Sequence, residues 1–264
     1  MDLGLKDKVI IVTGGSKGIG QGICEAIHAE GAIPVIVGRD EKTATALVAK
    51  FKENGGDAYN ITKELGTPES CQSSIEEVVK KYGKIDGLVN NAGVNDSVGL
   101  ENGSPEDFLS SMSKNLYHYY YLAHYAVPYL KETKGSIINI SSKTATTGQG
   151  GTSGYAASKG AQLSLTREWA VELLKYEIRV NAIVPAEVYT PLYKKWLDTF
   201  PNPEETLAEI TKNIPLGQRM TTIEEMGSMA AYLLSDKASH ITGQHMYVDG
   251  GYVHLDRALA GNDR

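Results

Sequence analysis

The chain predicts an α/β fold built around a parallel sheet. Short apolar, β-branched runs alternate with longer helical patterns, as repeated βαβ units require. The first such run passes through a glycine-rich turn directly into a helix start. The 264 residues show no repeat, low-complexity segment or linker, so residues 1–264 read as a single domain with one sizeable core.

In chain order, Val9–Val12, Ile33–Val37, Ala58–Ile61, Leu88–Asn90, Ser136–Ile140, Ile178–Val184 and His245–Val248 read as strands. Pro34 fits only as an opening strand residue, where its missing N–H does little harm. Between them, Gly20–Ala29, Lys42–Lys52, Pro68–Lys81, Pro105–Tyr129, Tyr155–Lys175 and Thr222–Leu234 read as helices. Leu165, Trp169 and Leu173 recur every four residues along the fifth helix and form a packing stripe. The tyrosine-rich run Tyr117–Tyr125 reads as core and subunit interface. Only Thr190–Pro215 breaks the rhythm: four prolines and an aromatic cluster mark an irregular excursion, placed as a lid over a site.

Composition narrows the function classes. Hydrophobic residues make up 41% and charged residues 22%, ordinary values for a soluble enzyme. A net charge of −6 without a long basic run argues against nucleic acid and anionic membranes as partners. No apolar run approaches the roughly 20 residues of a membrane span. The charged N-terminus leads straight into a strand, unlike a signal peptide. Cys24 and Cys71 suit a reducing cytoplasm and give neither a disulfide framework nor a zinc site. The sequons at Asn60, Asn102 and Asn139 are therefore read as accidental, and the histidines lack metal-ligand spacing, so no metal is expected.

Val-Ile-Ile-Val-Thr-Gly-Gly-Ser-Lys-Gly-Ile-Gly is strand, turn and helix start in succession. Gly14, Gly18 and Gly20 let the backbone approach a pyrophosphate, whose charge the helix N-terminus stabilises. Ser16, Lys17 and Ile19 complete this dinucleotide-binding turn. No Walker-type Lys-[Ser/Thr] ending is present, which argues against an NTPase. At the end of the second strand, where an acidic residue would hold the 2′-hydroxyl of NAD, the chain runs Val37-Gly38-Arg39-Asp40. Gly38 leaves room, while Arg39 and Lys17 supply positive charge. NADP is therefore expected in preference to NAD.

Tyr155 and Lys159 sit four apart on Gly-Tyr-Ala-Ala-Ser-Lys-Gly, hence one above the other on a helix face. A phenol is a poor base at neutral pH, and an ammonium one turn away would favour the phenolate. Tyr155 is thus a candidate general base.

Thr13-Gly14-x-x-x-Gly18-x-Gly20, Asn90-Asn91-Ala92-Gly93, Asn115, Ser142, Tyr155 and Lys159 stand in the order and spacing of the short-chain dehydrogenase/reductase family, which the chain resembles from Lys8 to Gly251. The resemblance implies a doubly wound, Rossmann-like fold of seven parallel strands with helices on both faces, assembled as a tetramer or dimer. It implies that Asn91, Ala92 and Gly93 line the adenosine ribose, that Glu64 and Leu65 flank the adenine, and that Pro185, Val188 and Thr190 hold the nicotinamide amide. The family more often has Asp at Glu64 and Gly after Pro185, where this chain has Ala186 and Glu187. Within the family, Val-Pro-Ala-Glu-Val-Tyr-Thr-Pro-Leu, Asn-Asn-Ala-Gly-Val-Asn-Asp, Ser-Ser-Lys-Thr-Ala-Thr-Thr-Gly-Gln-Gly and Gly-Gly-Tyr-Val-His-Leu-Asp-Arg-Ala-Leu are similar to sugar dehydrogenases acting on L-fucose and related aldoses.

Hydride transfer is the expected chemistry. Tyr155 takes the hydroxyl proton, Lys159 keeps the phenol acidic and bonds the nicotinamide ribose, and Ser142 donates to the reacting oxygen. Asn115 anchors a water that relays the proton outward. Ser142, Gln149, Tyr155, Glu187 and Tyr193 are the substrate candidates, with Asn95, Asp96 and Lys143 behind them, and Tyr193 and Trp196 are expected in a lid over the site. The small-molecule substrate is expected to be an aldose oxidised to a lactone. The rival readings are a carbonyl reductase on 3-oxoacyl, ketone or steroid substrates, and a catalytically silent dinucleotide sensor.

Overall fold

The computed structural model describes residues 2–256. Seven strands form one parallel sheet: β1 (Val9–Thr13), β2 (Ile33–Gly38), β3 (Tyr59–Thr62), β4 (Gly87–Asn90), β5 (Ser136–Ile140), β6 (Arg179–Pro185) and β7 (His245–Val248). Their order is β3-β2-β1-β4-β5-β6-β7, so the winding reverses between β1 and β4. A crevice opens at that reversal, beyond the carboxyl ends of the strands, and ligands of open α/β sheets bind there.

The alternation within β1 shows how the sheet serves two cores. Ile10 and Val12 pack with Ile23 and Ile27 of α1 (Gly18–Ala29), Leu47 and Phe51 of α2 (Glu41–Glu53), and Met226 and Ala230 of the helix Ile223–Leu234. Val9 and Ile11 point the other way, towards Ile75 and Val78 of α3 (Pro68–Tyr82), and towards the two long helices that flank β5. Every residue of β1 and β5 is buried. Pro34 is the second residue of β2, and pairing with β3 starts only at Val35, which leaves no ladder on that side for the proline to break.

Helix ends obey local chemistry. Asp40 caps α2 by accepting from Thr43 N at 3.0 Å, and Gly83 closes α3 in the left-handed region at φ 75°. Ser104 and Asp107 form a reciprocal capping box on α4 (Pro105–Met112). The long helix expected over Pro105–Tyr129 is not continuous. A π-helical turn, Ser113–Tyr117, separates α4 from α5 (His118–Thr133), and Asn115 lies at its centre. Such turns insert one residue into the helical ladder and re-aim the side chains downstream. The tyrosine run divides as expected for a packed helix: Tyr119 is buried and Tyr120 exposed.

After α6 (Ser153–Leu173), on which Trp169 and Leu173 face the core, comes the segment expected to be irregular. It instead contains α7 (Pro191–Leu197) and α8 (Pro203–Thr211). Pro191 and Pro203 each open a helix, where an absent N–H costs nothing, so two of the four prolines act as starters. The last helix, α9 (Ile223–Leu234), lies against α1 at very short range. A Cβ on Gly22 would lie 2.1 Å from Ile223 O, and one on Gly227 would lie 2.2 Å from Gly22 O. Among the described residues no helix is long and apolar enough to cross a membrane.

Candidate active site

The crevice is built first from backbone. Gly14 and Gly18 hold φ of 63° and 55°, a region that costs a side-chain-bearing residue strain, and α1 begins at the second of them. Thr13 Oγ1 accepts from Asn91 N at 2.8 Å and Ala92 N at 2.9 Å, tying β4 to β1. Asn91 Nδ2 donates to Thr13 O at 2.8 Å and Gly14 O at 3.3 Å. The Asn91 side chain thereby ties the Asn91–Gly93 segment to the glycine turn. A Cβ on Gly20 would sit 2.3 Å from Gly14 O. Ser16 and Ile19 are half-buried on the same turn.

The two cations expected to select the cofactor are both paired. Lys17 bonds Asp40, and Arg39 Nη1 lies 3.3 Å from Glu64. The Lys17 ammonium and the helix-capping amide of Thr43 hold the Asp40 carboxyl down at about 2. All four groups ring the ends of β2 and β3, beside buried Leu65.

Opposite the turn, α6 presents Tyr155, Lys159 and Gln162 to the end of β5. Ser142, two residues past the end of β5, hydrogen-bonds Tyr155 and accepts from Thr144 N at 3.3 Å. Lys159 is buried, with its Nζ donating to Ile140 O at 2.7 Å, Gln162 Oε1 at 3.3 Å and Tyr119 OH at 3.4 Å. The same Nζ stands 5.4 Å from the Tyr155 ring centroid. The glycine turn and this cluster meet at Gly93, where a Cβ would lie 2.8 Å from Asn115 Oδ1 and 3.8 Å from Lys159 Nζ.

The expected acidification of the phenol is not what the surroundings produce. Burial raises Tyr155 to about 12, with the Ser142 hydrogen bond opposing, and burial lowers Lys159 to about 7. Desolvation penalises both charged forms and outweighs the attraction between them.

Asn115 is fixed on both sides: Oδ1 accepts from Val94 N at 2.7 Å and Nδ2 donates to Ser111 O at 3.0 Å. Its main-chain carbonyl accepts from Gln162 Nε2 at 2.7 Å.

The other wall holds a buried ion pair. Lys143 Nζ contacts Glu187, their side chains being 12% and 11% exposed. The same ammonium lies 4.2 Å over the Tyr252 ring, and Tyr193 hydrogen-bonds Glu187. Tyr252 is delivered by Asp249, whose carboxylate accepts from Gly251 N at 2.8 Å and Val253 N at 2.9 Å after β7. Glu187 stands just past buried Pro185 at the end of β6, and its carbonyl accepts from Thr221 N at 2.9 Å. Val188 is buried beside it, and Thr190 caps α7 while abutting Gly18, whose Cβ would lie 3.2 Å from it. On α7, Tyr193 and Trp196 meet edge to face at 5.2 Å. Gln149 is exposed on the loop after Ser142. Asp96 is occupied by Ser111 Oγ at 2.8 Å and Lys114 at 3.3 Å, and Asn95 caps Ser97 N at 3.2 Å, so neither joins the clamp.

A family model described as enoyl-(acyl carrier protein) reductase matches residues 14–253. The chain belongs to the short-chain dehydrogenase/reductase family. Within this oxidoreductase family, the 3-oxoacyl-[acyl-carrier-protein] reductase of Thermotoga maritima is 34% identical over 94% of this chain and 99% of its own. The L-fucose dehydrogenase of Bos taurus is 35% identical over 92% of this chain and 88% of its own. The crystal structure of Cj0485 dehydrogenase is 50% identical over 98% of this chain and 99% of its own, with a TM-score of 0.94.

Three members of the site carry no clear mark in the sequence. Gln162 and Tyr119 face Lys159, the first at a helical spacing that could have signalled it. Tyr252 reaches Lys143 across the sheet, and only its place in the ending Gly-Gly-Tyr-Val-His-Leu marks it. The ending from His254 reaches the described structure through His254, whose ring packs on Tyr247 at 4.4 Å, and through residues 255–256; residues 257–264 lie outside it.

Proposed function

We propose that the chain is an aldose 1-dehydrogenase, oxidising the anomeric hydroxyl of a pyranose such as L-fucose to its lactone, with NADP preferred over NAD. The observation that carries the sugar reading is the buried Lys143–Glu187 pair beside Ser142 and Tyr155. Burying two charges costs several kcal/mol per ion and calls for a compensating use. Hydroxyls of a polyol satisfy both an ammonium and a carboxylate, and the Tyr193 and Tyr252 rings offer the apolar wall a sugar face needs. An acyl chain or steroid would leave both ions facing hydrocarbon. Identities of 34% and 35% to an oxoacyl reductase and a fucose dehydrogenase do not separate the two substrates, so the pocket has to.

The turn at Gly14–Gly20 fits a pyrophosphate, because its positive-φ glycines and the start of α1 leave backbone N–H groups facing the crevice. A bound nicotinamide dinucleotide would supply the hydride acceptor. The phenolic oxygen of Tyr155 takes the hydroxyl proton as the carbinol C–H bond breaks and C=O forms. Ser142 donates to the same oxygen, a contact worth about 2–4 kcal/mol where charge develops. Lys159 Nζ, 5.4 Å from the Tyr155 ring centroid, is the amine whose charge favours the phenolate and that would bond the nicotinamide ribose. The preference for NADP rests on Gly38 in place of a carboxylate, and on Lys17 and Arg39, which a 2′-phosphate would recruit from Asp40 and Glu64.

The exposed apolar surface of Leu192, Trp196 and Leu216 around α7 favours a second reading, reduction of 3-oxoacyl or other hydrophobic carbonyls. A panel of aldoses, ketones, steroids and 3-oxoacyl thioesters, monitored by cofactor absorbance, decides between them. Highest kcat/KM on a thioester would overturn the sugar assignment. We propose a cytoplasmic homotetramer with Tyr120, Val171 and Leu174 on subunit faces; a monomer by light scattering would count against it.

A further inference from the structure

The helix that carries Tyr155 begins without a cap of its own. Thr152, the residue before α6, makes no side-chain bond to it, so the N–H groups of the first turn need partners from elsewhere. Gly154 N finds one in Val98 O at 3.1 Å, on the loop that follows β4. That loop is pinned to the end of α4 and to the π-helical turn. Val94 N donates to Asn115 Oδ1 at 2.7 Å, and Asp96 accepts from Ser111 Oγ at 2.8 Å and Lys114 Nζ at 3.3 Å. Asn95 Oδ1 accepts from Ser97 N at 3.2 Å, and Ser97 holds a left-handed φ of 57°, a turn that brings Val98 back to α6. These contacts meet at Ser111, which is fully buried. Its carbonyl accepts from Asn115 Nδ2 at 3.0 Å, its hydroxyl donates to Asp96, and a Cβ on Gly154 would lie 2.7 Å from its side chain.

We propose that Asp96 is a positioning residue for Tyr155: through Ser111 it fixes the loop after β4, and through Val98 that loop caps α6 and sets where the phenol stands. Both carboxylate oxygens of Asp96 are spent on α4 and the π-turn, so its influence on the reaction passes through the loop. Tyr155 follows Gly154 directly, and a shift of the capped amide therefore carries the phenol with it. The second turn of α6 is gripped from the same side, since Ser158 Oγ lies 3.2 Å from Met112 Sδ. The two arms of Asp96 are unequal. Lys114 is half exposed, and water screens its attraction, whereas the bond from the buried Ser111 hydroxyl is charge-assisted and shielded. Loss of the carboxylate leaves that hydroxyl without its acceptor in a closed environment and frees the loop to move.

The inference rests on the proposed role of Tyr155, and its test separates the two. The purified enzyme is assayed with whichever alcohol of the panel it oxidises best, so a wrong sugar leaves the test standing, whereas activity surviving in Tyr155→Phe marks failure of the underlying mechanism. Asp96→Ala and Ser111→Ala each remove the bond between loop and helix. Each should slow cofactor reduction in a single turnover about tenfold, the scale of a small misplacement of a reacting group. The half-saturating concentrations of alcohol and cofactor should stay within about twofold, because the binding contacts are kept. The double variant should be no slower than the slower single one, since one link is broken twice. Asp96→Asn keeps an oxygen for the Ser111 hydroxyl and should remain within about threefold of the native rate. A higher half-saturating alcohol concentration at an unchanged rate overturns the proposal, because Asp96 then touches substrate. An asparagine variant as slow as the alanine one overturns it as well, and so do losses that multiply in the double variant. If Asp96→Ala does not fold, Ser111→Ala decides alone: a native rate in it refutes the link.

Discussion

Replacing Lys159 with Met should make the protein more stable at neutral pH while removing its activity. The amine is buried and held at about 7, against an ordinary 10.5, because its charge is desolvated. A separation of that size corresponds to about 5 kcal/mol, at 1.36 kcal/mol per pH unit. The sign comes from proton counts: between those limits the unfolded chain binds more protons than the folded one, so native stability rises with pH. The penalty is therefore complete below pH 7, about 4 kcal/mol at pH 7, and gone above 10.5. Methionine fills the same space without a charge. It surrenders three hydrogen bonds, but Ile140 O keeps the Tyr119 hydroxyl at 3.2 Å, so the loss is about 1–3 kcal/mol. The net gain is about 2–3 kcal/mol at pH 6, closing by up to about 1.4 kcal/mol per pH unit above 7 and reversing near the top of the window. Urea titrations of both proteins at pH 6, 7.5 and 9 measure it, because groups common to the two cancel. An advantage that does not vary with pH, or one smaller at pH 6 than at pH 9, refutes the desolvation argument.

Removing one partner of the clamp should be worse than removing both. Lys143→Met or Glu187→Gln alone leaves a buried, poorly matched ion and should cost about 3–5 kcal/mol, while Lys143→Met with Glu187→Leu recovers most of it and raises KM for sugar at least tenfold. Thermal melts with KM values check both halves. Gly227→Ala should destabilise by about 1–3 kcal/mol or more, since its Cβ meets backbone that cannot rotate away, whereas Gly55→Ala meets nothing within 4 Å and suffers only from its positive φ. Denaturant midpoints compare them. Arg39→Ala should lower kcat/KM for NADP about tenfold or more and leave NAD within twofold; equal losses on both cofactors would remove the charge argument. The rate of alcohol oxidation should climb from pH 7 towards pH 10, because burial has raised the Tyr155 phenol to about 12 and it gives up its proton only reluctantly; a titrated rate profile that is flat over this range counts against it.

Much of the fold is legible because β-branched runs and helical periods carry their own signal. All seven expected strands occur, and the Leu165–Trp169–Leu173 stripe lies against the core. The departures have a physical origin. The proline-rich stretch reads as irregular because proline breaks a helix interior, yet at Pro191 and Pro203 it occupies a first turn that needs no donor. The π-turn at Asn115 answers to packing against α6, which no local pattern reports. In the site, residue types at fixed spacing locate Tyr155, Lys159 and Ser142 together. The sign of the Tyr155 shift escapes such reasoning because a helix spacing gives proximity but says nothing about water. Gln162 is hidden for the same reason, since a glutamine gains meaning only from what it touches. Tyr252 and Lys143 meet Glu187 from separate strand ends, a convergence made by the sheet.

The contact between α1 and α9 through bare backbone has a consequence for how this architecture can diversify. Where Gly22 and Gly227 bring the two backbones together, neither helix has anything compressible to yield, so the phosphate end of the crevice is effectively a fixed jaw. Accommodation of differently shaped reactants is then left to the opposite jaw, α7 and α8, on which Leu192 and Trp196 are exposed and whose ends are tied at Thr190 and at the Glu187–Thr221 hydrogen bond. Exchanging that segment among relatives would retune what enters the cleft while the dinucleotide half stays untouched.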